Sequence, residues 1–244
     1  MIKSAINRIL ELSAPNTIDF CGLKYVDKKM ERLGTELRAE PIELNTLSSL
    51  VDYIKHFNEP LKHGGYLIRV ASPSRVEMMS ALDPDRKRET LVVVNAELPR
   101  IPFGSYIDNE HMLITVQSMF ANDPTTDRDL VLKFAGTVTN GSVKEYGDDG
   151  VTQKATIKQG ISSKTEAIVP SPCILRPFRT FPEVEQPASS FIFRMREDKN
   201  GDIESALFEA DGGAWKNEAR RNIHQYLETQ LAGLPSEKDI IVIS

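Results

Sequence analysis

The spacing of apolar residues divides the chain into short amphipathic helices and alternating strands. Ile2, Ile6, Ile9 and Leu10 fall on one helical face, and Pro15 stops that helix. Ile18 to Tyr25 reads as a short hairpin turning at Cys21-Gly22, followed by a polar stretch to Glu43. Thr46 is a good N-cap for the next helix, whose apolar face is marked by Leu47, Leu50, Val51, Ile54 and Phe57. His63-Gly64-Gly65 reads as a turn. Three strands are expected after it, at Tyr66–Ala71, Arg75–Leu82 and Glu89–Leu98. The turns Ser72-Pro73-Ser74 and Asp83-Pro84-Asp85 between them are short, so the strands form an antiparallel meander. Leu91 to Val94 is apolar without alternation, as in a strand covered on both faces.

Asp108 caps a helix over 109–120, and Thr126 or Asp127 caps another over 128–136. The following part is rich in strands. Thr137–Tyr146 and Val151–Gln159 flank the hairpin turn Gly147-Asp148-Asp149-Gly150. Ala167–Val169 and Cys173–Leu175 are short strands between prolines. Along Ser190–Arg196, Phe191, Phe193 and Met195 share one face, while Ile192, Arg194 and Arg196 share the other. Ile203–Glu209 pairs with that strand across Asp198–Asp202. Gly212-Gly213 opens a long last helix with Trp215, Ala219, Ile223, Tyr226, Leu227 and Leu231 on its apolar face, and Gly233 ends it. Ile240–Ile243 is a final strand, suited to a sheet edge or an oligomer contact. Helices and strands do not alternate one for one. The expected class is therefore α+β: mixed, mainly antiparallel sheets with packed helices and a long C-terminal helix. One domain over 1–244 is expected, with the helix and hairpin of 1–45 as a candidate sub-element.

Composition narrows the function classes. Thirty Lys and Arg against thirty-five Asp and Glu give a net charge of −5. A dedicated duplex-DNA binder needs a basic face to displace counterions, so that class is disfavoured. No apolar run is long enough to span a bilayer, and the first fifteen residues are too polar for a signal-peptide core. Cys21 and Cys173 form no metal-binding pair and fit a reducing compartment. The cytoplasm is the expected location, and no membrane partner is expected.

The sequence lacks a dinucleotide fingerprint, a phosphate-binding Walker loop, a zinc-protease helix and a nucleophile elbow. His56, His63, His111 and His224 are isolated, and no metal or cofactor is expected. Asp198-Lys199-Asn200-Gly201-Asp202-Ile203-Glu204 imitates a calcium loop. Its sixth place is Ile203 where such a loop needs glycine, so a hairpin turn explains it better. Glu183 and Glu185 could cooperate as acid and base, but Pro182 and Pro187 flank them and favour an extended, solvated segment.

Charge is unevenly distributed. Between Gly150 and Phe181, Lys154, Lys158, Lys164, Arg176 and Arg179 oppose one acid, Glu166. The next stretch, Pro182 to Asp211, carries eight acids and three bases. Two readings follow. Adjacent strands could neutralise each other by cross-strand pairs. Alternatively Lys154, Lys158, Arg176 and Arg179 line a site for an anion, with Phe178 and Phe181 beside the arginines either to stack a base or merely to fill core, and Arg194 joining the set. A small phosphorylated ligand needs only such a local pocket.

The stretches DDGVTQKATIKQG (148–160), ILRPFRTFPEVEQPASSFIFRMRE (174–197) and ALFEADGGAWKNEA (206–219) resemble the YfdQ-like family of bacteriophage and prophage proteins. RVASPSRVEMMS (69–80) and LITVQSMF (113–120) fit the same resemblance. It implies a phage-encoded protein made in the host cytoplasm and brings no catalytic residues with it. The expected function is a non-enzymatic, homo-oligomeric protein that sequesters a small nucleotide-type ligand, such as a host-defence signal, as a sponge does. The alternatives are a recombination or replication accessory on single strands, a virion or assembly component, and a nucleotide hydrolase using Glu183, Glu185 or Asp211.

Overall fold

In the computed structural model the chain forms two compact units, Met1–Arg38 and Ala39–Ser244. The structure describes residues 2–20, 23–27, 38–56, 64–83, 86–140, 142–148, 153–159, 163–168, 171–233 and 240–244; for 20, 23–24, 138–140, 142–148, 153–159 and 163–168 it describes the backbone only. The turns expected at Cys21-Gly22 and Asp149-Gly150 lie outside the described residues, as do Phe57, His63, Pro84, Asp85, Val151 and Val169.

The first unit holds α1 (Ile2–Ser13) and the antiparallel strands β1 (Thr17–Phe20) and β2 (Leu23–Val26). Asn16 closes the open end of this hairpin on the Asp27 carboxylate, donating its backbone N–H at 2.8 Å and its side-chain amide at 2.9 Å. None of the residues of α1 is buried.

The second unit runs β3 (Ile42–Leu44), α2 (Leu47–His56), β4 (Tyr66–Ser72), β5 (Arg75–Ser80), β6 (Thr90–Asn95), β7 (Ile107–Asp108), α3 (Asn109–Met119) and α4 (Arg128–Asn140). It continues with β8 (Ser142–Asp148), β9 (Gln153–Gln159), β10 (Ser163–Ile168), β11 (Cys173–Leu175), β12 (Ser189–Glu197), β13 (Ile203–Glu209), α5 (Trp215–Leu231) and β14 (Ile240–Ile243). The described strands of this unit form sheets in the orders β14-β4-β5-β6-β3, β11-β12-β13-β7 and β10-β9-β8. The class is α+β, with antiparallel pairing dominant and a long C-terminal helix. The meander β4-β5-β6 is antiparallel as its short turns require. Among the described residues, no helix is long and apolar enough to cross a membrane.

Two cores follow from the sequence periodicities. Leu47, Leu50 and Ile54 of α2 and Ile223 and Leu227 of α5 cover one face of the five-stranded sheet. Val92 and Val94 are wholly buried and Val93 nearly so, consistent with a strand covered on both faces. The second core joins Met112 and Val116 of α3 and Val131 and Phe134 of α4 to the four-stranded sheet. There Phe191, Phe193 and Met195 of β12 point inward, and Ile192 and Arg196 point out. The expected caps are present. Thr46 Oγ1 accepts the Ser49 N–H at 3.2 Å, and the Asp108 side chain accepts the His111 N–H at 2.9 Å. Gly233 follows α5 at φ +81°, in the left-handed region a helix-ending residue needs.

Three local expectations are corrected. The strand expected over Thr137–Tyr146 begins only at Ser142, because α4 continues to Asn140. Thr137 fits the helix by donating its hydroxyl to the Lys133 carbonyl at 2.7 Å, which overrides its β-branched preference. Of the short strand expected at Ala167–Val169, Ala167 and Ile168 are instead the end of β10, which starts at Ser163. β3 arises inside the stretch read as polar and pairs parallel with β6, as β14 does with β4 at the other edge.

Glu77 illustrates how charge is buried here. It is 8% exposed and sits between Arg69 at 2.6 Å and Arg75 at 2.8 Å. Burial pushes its carboxyl up, but the hydrogen bonds and charges of both arginines outweigh this and hold it below the ordinary value of 4.5. A depressed folded value means stabilisation that is whole above the unfolded value and lost as pH falls through the folded one. Glu77→Gln should therefore weaken the protein at neutral pH, and the difference from wild type should shrink on acidification. Urea titrations across roughly pH 3 to 7 check the sign; a gap that widens in acid contradicts it.

Candidate anion-binding site

The segment between β11 and β12 carries three of the expected ligand residues, and one buried glutamine organises it. Gln186 Oε1 accepts the backbone N–H groups of Arg179 at 3.0 Å and Thr180 at 3.2 Å. Its Nε2 donates to the carbonyls of Phe181 at 3.0 Å and Val184 at 3.3 Å. Thr180 adds a hydroxyl bond to the Pro73 carbonyl at 2.6 Å. Phe181 and Val184 lock into the first core. Beyond the bridge of Pro177 to Phe120, this proline-interrupted segment lies outside the named strands, and these side chains supply partners for its backbone.

That frame fixes both arginines against acids of their own chain. Arg176 Nη1 lies 2.7 Å from Glu185 and 3.3 Å from Asp123. Arg179 is 8% exposed, with Nη1 2.5 Å from Glu209 and Nη2 donating to the Ser189 hydroxyl. Its guanidinium stacks 3.9 Å from the Trp215 ring centre and 5.6 Å from that of Phe191. Burial lowers its pKa to about 10, although Glu209, Asp211 and Glu218 pull it upward. It stays charged at neutral pH. Asp211 belongs to the same knot and accepts the N–H groups of Gly213 at 2.9 Å and of Trp215, the first residue of α5, at 3.2 Å. Burial alone would raise the Asp211 carboxyl; those two bonds, Ser189 and Arg179 bring it below its ordinary range. Arg176 and Arg179 thus each meet acids of their own chain, but not as the cross-strand pairs expected of adjacent strands, since both arginines lie in the segment between β11 and β12.

The remaining expected ligand residues lie elsewhere. Phe178 is 37% exposed and donates its backbone N–H to Met119. Arg194 is half-buried on β12, at the register position opposite Ala206. Lys154 and Lys158 are on β9 of the three-stranded sheet. Lys158 stands opposite Lys164 of β10 and Ser142 of β8; Lys154 stands opposite Ile168 and Gly147. The row between them sets Thr156 against Glu166 and Glu145.

Sequence reasoning did not foresee the role of Glu183. Its Oε1 accepts the Ser48 N–H at 3.1 Å, in the first turn of α2, where a carboxylate meets unpaired amides and the positive end of the helix dipole. Glu183, Glu185, Asn222, Gln225, Tyr226 and Thr229 line an open groove of about 260 Å³ beside α5. Burial, then Glu183 and Asp52, push the Tyr226 hydroxyl above its ordinary pKa. This groove is acidic and amide-lined and would repel a phosphate. The described histidines serve local contacts: His56 with the Asp52 carbonyl, His111 with Asp108 and His224 with Glu228. The Asp198 loop is a hairpin turn, in which Asp198 Oδ1 accepts the N–H groups of Asn200 and Asp202 at 2.8 Å each, with Gly201 at φ +89°. No protein-family model matches the chain, and neither a curated protein nor a solved structure does.

Proposed function

We propose that the chain is a non-enzymatic binding protein that holds a small anionic ligand of the nucleotide type without turning it over. The resemblance to the YfdQ-like family makes it a phage or prophage product in a host cytoplasm, and a host-defence signalling nucleotide is the concrete candidate. The observation that carries this reading is the register of β9 and β10, where Lys158 stands opposite Lys164. Like charges directly opposed in an antiparallel pair are destabilising, and a bound anion relieves that cost. Lys154 lies four residues further along the same strand, about 13 Å away, a distance that suits a ligand with more than one phosphate. Arg176 and Arg179 act as scaffold in this reading, since their acids are already in place. A homo-oligomer would enclose a ligand on this sheet more fully than one copy can.

The test is calorimetry with a panel of linear, cyclic and dinucleotide ligands, followed by chromatography of the recovered ligand. One class should bind and come back intact. Lys158→Ala with Lys164→Ala should weaken it at least about tenfold with no loss of thermal stability, since it removes a repulsion. Unchanged affinity in that double variant, or no binding across the panel, removes the assignment. A hydrolysed product makes the chain an enzyme. Affinity for oligonucleotides with a steep salt slope would instead favour the single-strand alternative.

A further inference from the structure

We infer that α1 is a self-association surface whose occupant is α1 of a second copy of this chain. Ile2, Ile6, Ile9, Leu10 and Leu12 are between 51% and 80% exposed. Every described side chain of the first unit is exposed. A twelve-residue helix is marginal alone in water, and so is a two-stranded hairpin. Their order needs a surface to pack on.

The pattern identifies that surface as a like helix. Ile2, Ala5, Ile9 and Leu12 follow the three-four-three spacing of a coiled-coil seam, with Ile6 and Leu10 widening it on one side. The complement of such a seam is another seam, in which each knob enters a hole of the facing helix. The five aliphatic side chains expose on the order of 500 Å² per copy, so two copies together hold about 1,000 Å² of apolar surface for a pairing to draw on, the lower bound for a specific interface. Ile18, Tyr25 and Val26 of the hairpin, each at least 40% exposed, can add to it. Charge argues against other occupants. The polar side carries Lys3, Arg8 and Glu11, and Arg8 is already 3.0 Å from Glu11 within the helix. A helix adapted to a membrane surface or to nucleic acid would present several unpaired cations. The inference does not depend on the proposed ligand.

Sedimentation of the full chain at tens of micromolar tests it. The wild type should sediment as a multiple of its 27.3 kDa mass, and Ile6→Glu with Ile9→Glu should sediment at 27.3 kDa with the main thermal transition unchanged. Ala5→Leu fills the seam and should tighten association by about tenfold or more, a gain that misfolding cannot imitate. A monomeric wild type overturns the proposal, whether its helix then floats with phosphatidylcholine vesicles or is protected from protease by its own chain. A charged double variant that keeps the wild-type mass, or an Ala5→Leu variant with unaltered association, overturns it too.

Discussion

Arg179→Ala is expected to lower the unfolding free energy by about 3 kcal/mol, a large share of the roughly 5–15 kcal/mol that holds a domain folded. Removing one partner of a buried pair leaves the other charge uncompensated, which costs about 3–5 kcal/mol. The lower end applies because Glu209 is 38% exposed on its side chain and water can take up part of its charge. Asp211 loses its neighbouring cation as well, and the Trp215 face loses the guanidinium that covers it. Arg179→Lys should recover part of the loss. Its ammonium can reach Glu209 but cannot stack on the indole or donate in two fixed directions. Chemical denaturation read by Trp215 fluorescence measures both variants, and a change under about 1 kcal/mol in Arg179→Ala would show the pair to be dispensable. Nucleotide affinity should be unaffected by Arg179→Lys, because this side chain faces its own chain.

The sequence carried the signals for most of the elements and few of those for the site, for physical reasons. Periodicity reports which face of a helix or strand is buried, and so Leu47, Leu50 and Ile54, or Phe191, Phe193 and Met195, could be assigned before any coordinates. Caps are equally local, as Thr46 and Asp108 show. Parallel pairing of β3 with β6 and of β14 with β4 leaves no local trace, because the partners are far apart in sequence. The basic block of the sequence divides in the fold, with its lysines on β9 and β10 and its arginines between β11 and β12. Composition could not say whether Arg179 meets a ligand or Glu209, thirty residues on, since both need the same guanidinium. Glu183 was the hardest case: its partner is an amide of α2, 135 residues upstream, and backbone donors have no sequence signature.

Phe191→Ala should be as damaging as loss of Arg179, by a different route. Phe191 is wholly buried, stacks on Phe103 with ring centres 5.2 Å apart, and meets Phe120 edge-on at 6.4 Å. Truncating a buried phenylalanine costs about 3–5 kcal/mol, from lost transfer energy and from the cavity left behind. Relaxation is restricted here. β12 is held on both sides, by β11 through Cys173 opposite Phe191 and by β13 through Glu209 opposite it. The backbone therefore cannot close the void cheaply. Glu209 is also the partner of Arg179, whose guanidinium lies 5.6 Å from the Phe191 ring. The two sites thus share a neighbour, and their losses should not add. The double variant Phe191→Leu with Arg179→Lys, compared with each single change, should show a coupling of about 0.5 kcal/mol or more by urea denaturation. Strict additivity would mean that the aromatic core and the buried ion pair are energetically separate, and that Trp215, Glu209 and Ser189 hold the Arg179 guanidinium without help from Phe191.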